Sequence, residues 1–175
     1  MNSIAINNRQ QVVGWLITEG CPVAIAFLWS AHDGLQNLGD LSNSALNPCG
    51  GAGANAINES GEVVGLGTTS TYLTHAFLWT SAAGMVDLGT LTGANGYSVA
   101  WAINQPGDVA GDAAVSSSTP FPLHAVVWNA GGSIQDLGTL PSDVSSFAKG
   151  INDRGDVVGY SRGSGGTHAV LWTSR

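Results

Sequence analysis

Ala56-Ile57-Asn58-Glu59-Ser60-Gly61-Glu62-Val63-Val64-Gly65 is the stretch that decides the fold. It joins two short apolar runs through a tight polar turn that ends in glycine. Runs of this kind, bounded by Asn, Ser, Gly and acids, read as strands. A glycine closing the turn suits a hairpin loop that passes through a left-handed residue. The same phrase returns along the chain. Ala5-Ile6-Asn7, Ala102-Ile103-Asn104 and Gly150-Ile151-Asn152 repeat its first half. Val12-Val13-Gly14, Val109-Ala110-Gly111 and Val157-Val158-Gly159 repeat its second. The first copy departs in one place, with Gln10 where the others have Gly61, Gly107 and Gly155. An unchanged turn would strain Gln10 by about 1 kcal/mol or more.

Two further phrases keep the same spacing. Ala26-Phe27-Leu28-Trp29, Ala76-Phe77-Leu78-Trp79, Ala125-Val126-Val127-Trp128 and Ala169-Val170-Leu171-Trp172 form one series. Asn37-Leu38-Gly39-Asp40-Leu41, Asp87-Leu88-Gly89-Thr90-Leu91 and Asp136-Leu137-Gly138-Thr139-Leu140 form the other, which is missing from the last copy. No window carries helical periodicity over three turns. Each unit therefore reads as a meander of four antiparallel strands, and units of this length point to propeller blades. The expected architecture is all-β: a small β-propeller of four repeats in one domain spanning 1–175, divided near 1–44, 45–96, 97–144 and 145–175, with one blade lacking a strand. A closed four-blade monomer is the first expectation. A ring completed by oligomerisation, or by further repeats, is the second, because an uncovered edge invites pairing.

His75-Ala76-Phe77-Leu78-Trp79, followed by Gly84-Met85-Val86-Asp87-Leu88-Gly89-Thr90-Leu91, resembles the HAF repeat of extracellular bacterial proteins. The Ala-Ile-Asn and Val-Val-Gly phrases share the likeness, which covers nearly the whole chain. The resemblance implies a repeat β architecture and a secreted or surface location. It implies no transferable activity. Ile25 stands where the other copies have His75, His124 and His168.

Composition bounds the function. The chain has 175 residues, 43% hydrophobic and 10% charged, with a formal net charge of -7. Soluble domains average about 25% charged residues. The acidic balance argues against nucleic acid and anionic lipid as partners, and no apolar run is long enough to span a bilayer. Cys21 and Cys49 pair or stay free on equal grounds. No signal-peptide pattern opens the chain: Met1-Asn2-Ser3 runs straight into the first repeat, as in a mature or trimmed chain.

Candidate chemistry is sparse, and no catalytic or metal-binding set stands out. The three equivalent histidines read as structural, bonded to backbone of the next blade, rather than as a metal ring. Gly159-Tyr160-Ser161-Arg162-Gly163 matches a nucleophile elbow in letters but ends a strand instead of opening a helix. Arg154-Gly155-Asp156 is a hairpin turn whose glycine the repeat demands. Asp108, Asp112, Asp153 and Asp156 are expected near turns at one end of their blades, where calcium is the one conceivable cofactor. Trp29, Trp79, Trp128 and Trp172 recur and belong between blades. Trp15, Trp101 and Tyr160 do not recur, and with Asp108 and Asp112 they are the candidate ligand-binding residues. The expected function is non-enzymatic extracellular binding or assembly, with a glycan or surface protein as partner. The alternatives are a structural subunit polymerising through the unfinished blade, and a glycan-active hydrolase or lyase.

Overall fold

The computed structural model describes residues 2–19, 21–42, 51–116 and 122–174. Within them the chain forms four antiparallel sheets and no α-helix. The first sheet runs β1 (Asn2–Ile6), β2 (Val12–Thr18), β3 (Cys21–Ser30) and β4 (Gly34–Asn37). The second runs β5 (Ala52–Ile57), β6 (Val63–Thr68), β7 (Thr74–Thr80) and β8 (Gly84–Asp87). The third runs β9 (Ser98–Ile103), β10 (Val109–Ala114), β11 (Leu123–Trp128) and β12 (Ile134–Asp136). The fourth has three strands, β13 (Asp143–Ile151), β14 (Val157–Gly163) and β15 (Gly166–Trp172). Each sheet is a meander in chain order. No helix among the described residues is long and apolar enough to cross a membrane. The pairing of Cys21 with Cys49 lies outside the described residues.

The sheets stack, and this explains the continuous apolar phrases. Neighbouring residues of a strand point to opposite faces. Val63 and Val64 are nonetheless both fully buried, because the second sheet is covered on both sides. Val63, Phe77 and Trp79 pack back onto Val13, Ala26 and Leu28 of the first sheet. Val64 and Ala76 pack forward onto Val109, Val126 and Trp128 of the third. Ala110 and Ala125 then meet Ala148, Val157 and Trp172 of the fourth. The recurrent tryptophan of each later sheet thus sits on the sheet before it. First strands of successive sheets also touch one another, while the fourth strands make no comparable contact, so the sheets fan outward from their first strands.

The fan is open. No comparable packing joins the first and fourth sheets, and Trp29 and Leu171 remain exposed on the two outer faces. The closed four-blade ring expected from the repeat count is therefore not formed by the described residues, because four sheets stacked this way do not complete the turn.

Two local constraints account for the repeated letters. Every first strand carries a bulge, between Ala54 and Ala56 in β5. It presses the Gly53 carbonyl so close to Gly65 that a Cβ there would lie 2.0 Å from the oxygen. The same approach recurs at Gly14, Gly111 and Gly159, and it fixes the glycine of Val-Val-Gly. In the turn, Gly61, Gly107 and Gly155 have φ of 85°, 94° and 83°. Gln10 holds φ 59° in the same place, so the first copy keeps the turn and bears the strain. One expectation is corrected. The Asp-Leu-Gly-Thr-Leu phrase is not a strand: β8 ends at Asp87, whose carboxylate accepts the Gly89 amide at 2.7 Å. Gly89, at φ 75°, then turns the chain away.

The asparagine of each of the first three turns ties one sheet to the next. Asn58 Oδ1 accepts the Glu62 amide at 3.0 Å within its own turn. Its Nδ2 donates across the interface to the Asn104 carbonyl at 3.2 Å. Asn7 donates likewise to the Asn58 carbonyl at 3.0 Å, and Asn104 to the Asn152 carbonyl at 3.0 Å. Asn152 has no following sheet and is exposed. Asn58→Ala is expected to cost about 1–3 kcal/mol, since it strands buried partners, and Asn152→Ala distinctly less. Chemical denaturation of the two variants checks the order, and equal losses would contradict it.

Candidate functional site

Two repeat positions lie diagonal to each other on the first and second strands of every sheet, the bulge residue standing two places beyond the register partner of the other. One is the bulge residue of the first strand: Ile4, Asn55, Trp101 and Lys149 in turn. The other is the residue after the fixed glycine: Trp15, Leu66, Asp112 and Tyr160. The scaffold around these positions repeats, but their side chains do not. At the junction of the third and fourth sheets they converge.

Asp112 lies at the centre of the convergence, 3% exposed on β10. Its Oδ2 accepts the Trp101 indole N–H at 2.6 Å, and its Oδ1 accepts the Ala148 amide at 2.9 Å from the next sheet. Lys149 Nζ stands 3.9 Å from Oδ2 and lies over the Trp101 ring, 4.1 Å from its centroid. Phe147 and Tyr160 stack with centroids 4.8 Å apart, and each also borders the ammonium, at 5.9 Å and 5.8 Å. The single lysine of the chain therefore sits in a cage of three aromatic rings with a buried carboxylate beside it. Burial pushes the Asp112 carboxyl up to about 6, against the opposing pull of the Trp101 N–H, the Lys149 charge and the Ala148 amide. Burial also raises the Tyr97 phenol, and the Asp112 charge adds to it.

Of the expected ligand-binding residues, Trp101, Asp112 and Tyr160 come together here. Trp15 occupies the equivalent of Tyr160 in the first sheet, where it lines a separate cleft of about 320 Å³ with Ala24, Gly53, Asn55 and Leu66. Asp108 belongs to a turn, accepting from Asn104 Nδ2 at 3.1 Å and the Ala130 amide at 3.2 Å. Asp112 is thus not at the turn end with Asp108, Asp153 and Asp156, as the sequence reading placed it: it lies four residues up the strand. Among the described residues no three His, Cys, Asp or Glu side chains are grouped to hold a metal ion. Lys149 and Phe147 were not singled out from the sequence. The available signal was alignment, since Lys149 takes the bulge position of Trp101 and is the only lysine.

The remaining motifs are structural. His75 and His124 bond through Nδ1 to Asp87 and Asp136 of their own sheets, at 2.8 Å and 2.9 Å, and not to backbone of the next sheet. His168, with no outer strand beside it, lies 3.5 Å from Asp143. In the first sheet both partners change together, to Ile25 and Asn37. Ser161 is fully buried within β14, where its Oγ accepts the Leu140 amide at 3.0 Å, so it is no exposed nucleophile. Arg154-Gly155-Asp156 forms the hairpin turn, with Asp156 accepting from Asn152 Nδ2 at 2.9 Å.

A folded-state pKa above the ordinary 3.8 means that the native protein holds the Asp112 proton more tightly than the unfolded chain does. This group therefore favours folding most below about pH 4, and that advantage is lost as pH rises through about 6. Carboxyl NMR is expected to place the Asp112 midpoint near pH 6, and Lys149→Met moves it higher by removing the attractive charge. A midpoint in the ordinary carboxylate range would contradict the described burial.

In comparisons with known proteins, no family model and no curated protein matches the chain.

Proposed function

We propose that the chain is a non-enzymatic extracellular binding module, a set of HAF-like, propeller-type blades that carries a ligand site at the junction of its third and fourth sheets. The observation that supports this reading is the convergence of Trp101, Asp112, Lys149, Phe147 and Tyr160 within a scaffold whose strand phrases repeat. Repeated residues serve the stack. Divergence gathered at one place suits recognition, because a scaffold position free of packing duty can specialise.

The ligand class that fits best is a glycan. Aromatic rings offer apolar faces to a sugar ring, and the partly exposed ammonium of Lys149 donates to hydroxyl or carboxylate oxygens. Asp112 orients Trp101 through its indole N–H instead of meeting the ligand itself.

A glycan-active enzyme is the second reading, favoured by the raised titration of Asp112. Catalysis of glycoside cleavage calls for two carboxylates about 5–9.5 Å apart. Among the described residues, the groups around Asp112 are Trp101, Ala148, Lys149 and Tyr97, and none is a carboxylate. Both of its oxygens are also already engaged. Binding is therefore the preferred reading.

A glycan array followed by calorimetry on the hits tests it. Trp101→Ala and Lys149→Met are each expected to weaken binding at least tenfold while the circular dichroism stays unchanged. An array without hits and calorimetry without heat at millimolar glycan would overturn the glycan reading. Cleavage of a bound glycan, lost in Asp112→Asn, would replace it with the enzymatic one.

A further inference from the structure

Each sheet in the stack has a rear face, turned to the sheet before it, and a forward face, turned to the sheet after it. Three interfaces within the chain join a forward face to a rear face. Two such faces are left over: the rear of the first sheet and the forward of the fourth. We propose that these are the two halves of one interface, and that it joins copies of this chain head to tail.

The rear face of the first sheet is built like those already engaged. Ser3, Val12, Phe27, Trp29 and Leu35 line one open apolar cleft of about 380 Å³. Strand register equates them with Ala54, Val63, Phe77, Trp79 and Met85 of the second sheet, all of which pack onto the first. Trp79 is 5% exposed in that interface, whereas Trp29, with no sheet of the described residues stacked on it, is 40% exposed.

The forward face of the fourth sheet matches in the same way. Val158 and Leu171 are paired residues at the register positions of Val13 and Leu28. Val13 and Leu28 are 0% and 8% exposed beneath the second sheet, while Val158 and Leu171 are 51% and 59% exposed. Ala169, exposed as well, matches the buried Ala26.

The polar tie is also left half made. Asn152 Nδ2 donates to Asp156 in its own turn but, among the described residues, meets no carbonyl across an interface, unlike Asn7, Asn58 and Asn104. The Asn7 carbonyl accepts the Gln10 amide and has, among the described residues, no second donor of the kind that the Asn58 carbonyl receives from Asn7. In a head-to-tail contact Asn152 of one copy would meet Asn7 of the next.

The occupant is a second copy because the two free faces carry the complementary halves of a contact this chain already makes three times. Such a contact is heterologous, so it forms rings or filaments. Two copies bring eight sheets, within the range at which propellers close. A closed pair is therefore the expected product. It differs from edge pairing through the missing outer strand, since it buries faces and leaves β15 as an edge.

Mass in solution across concentration, by light scattering after size exclusion, tests the proposal. The wild type is expected at twice 17.8 kDa. Trp29→Asp and Leu171→Asp, both at exposed positions and with unchanged circular dichroism, are each expected to be monomers alone. An equimolar mixture of the two is expected to form a one-to-one dimer, since each variant retains the half the other has lost. A larger wild-type assembly that obeys the same mixing rule also upholds the interface. A wild type that stays monomeric up to its solubility limit would overturn it. So would either variant associating alone like the wild type, or a mixture that remains monomeric. Dispersal of the wild type by a peptide carrying the fourth-strand sequence Gly84-Met85-Val86-Asp87 would favour the edge route and overturn the face-to-face one.

Discussion

Burial of sheet faces against neighbouring sheets, both faces in the two inner sheets and one in each outer sheet, is the constraint on which the structure depends. The unit is too small to bury an apolar face by itself, and a meander of four short strands has no second layer of its own. Stacking supplies that layer. It explains why Val63 and Val64, pointing to opposite faces, are equally buried, and why each later tryptophan lies on the preceding sheet. The stack also sets the polar order. Asn7, Asn58 and Asn104 hold their own turns and the next sheet at once, so turn geometry and sheet spacing are fixed by the same side chain.

A repeat scaffold of this kind separates positions that hold the stack from positions that vary. The glycine after each valine pair is committed by the close approach of a carbonyl, as at Gly65. The residue following it, and the bulge residue on the neighbouring strand, carry no such obligation. Those two positions hold Trp101, Asp112, Lys149 and Tyr160. The cost is a buried carboxylate, which Trp101, Ala148 and Lys149 offset with two hydrogen bonds and a nearby charge.

Much of the fold was legible in the sequence. The Ala-Ile-Asn, Val-Val-Gly and tryptophan-ended phrases located the first, second and third strands of each unit, and the Gln10 exception foretold a left-handed residue that is there. The Asp-Leu-Gly phrase misled, because its regularity belongs to an Asp-capped turn and not to the strand before it. Closure was not legible either. Repeat count gives the number of sheets, but the rotation between sheets depends on how far first strands approach one another, which no residue pattern spells out. The candidate site was half legible. Non-repetition pointed to Trp101 and Tyr160. Lys149 and Phe147 escaped notice because their importance comes from a contact between sheets, and the partner of His75 came from its own sheet for the same reason of register.

Hydrogen exchange, resolved by strand and recorded at a concentration where the chain is monomeric, measures the central claim most directly. Amides open according to local stability. If stacking on both faces holds the sheets, β6 and β10 in the second and third sheets exchange slowest. Strands β2 and β3 follow, and β14 and β15 exchange fastest. Equal protection across the four sheets, or slowest exchange in the fourth, would contradict the account.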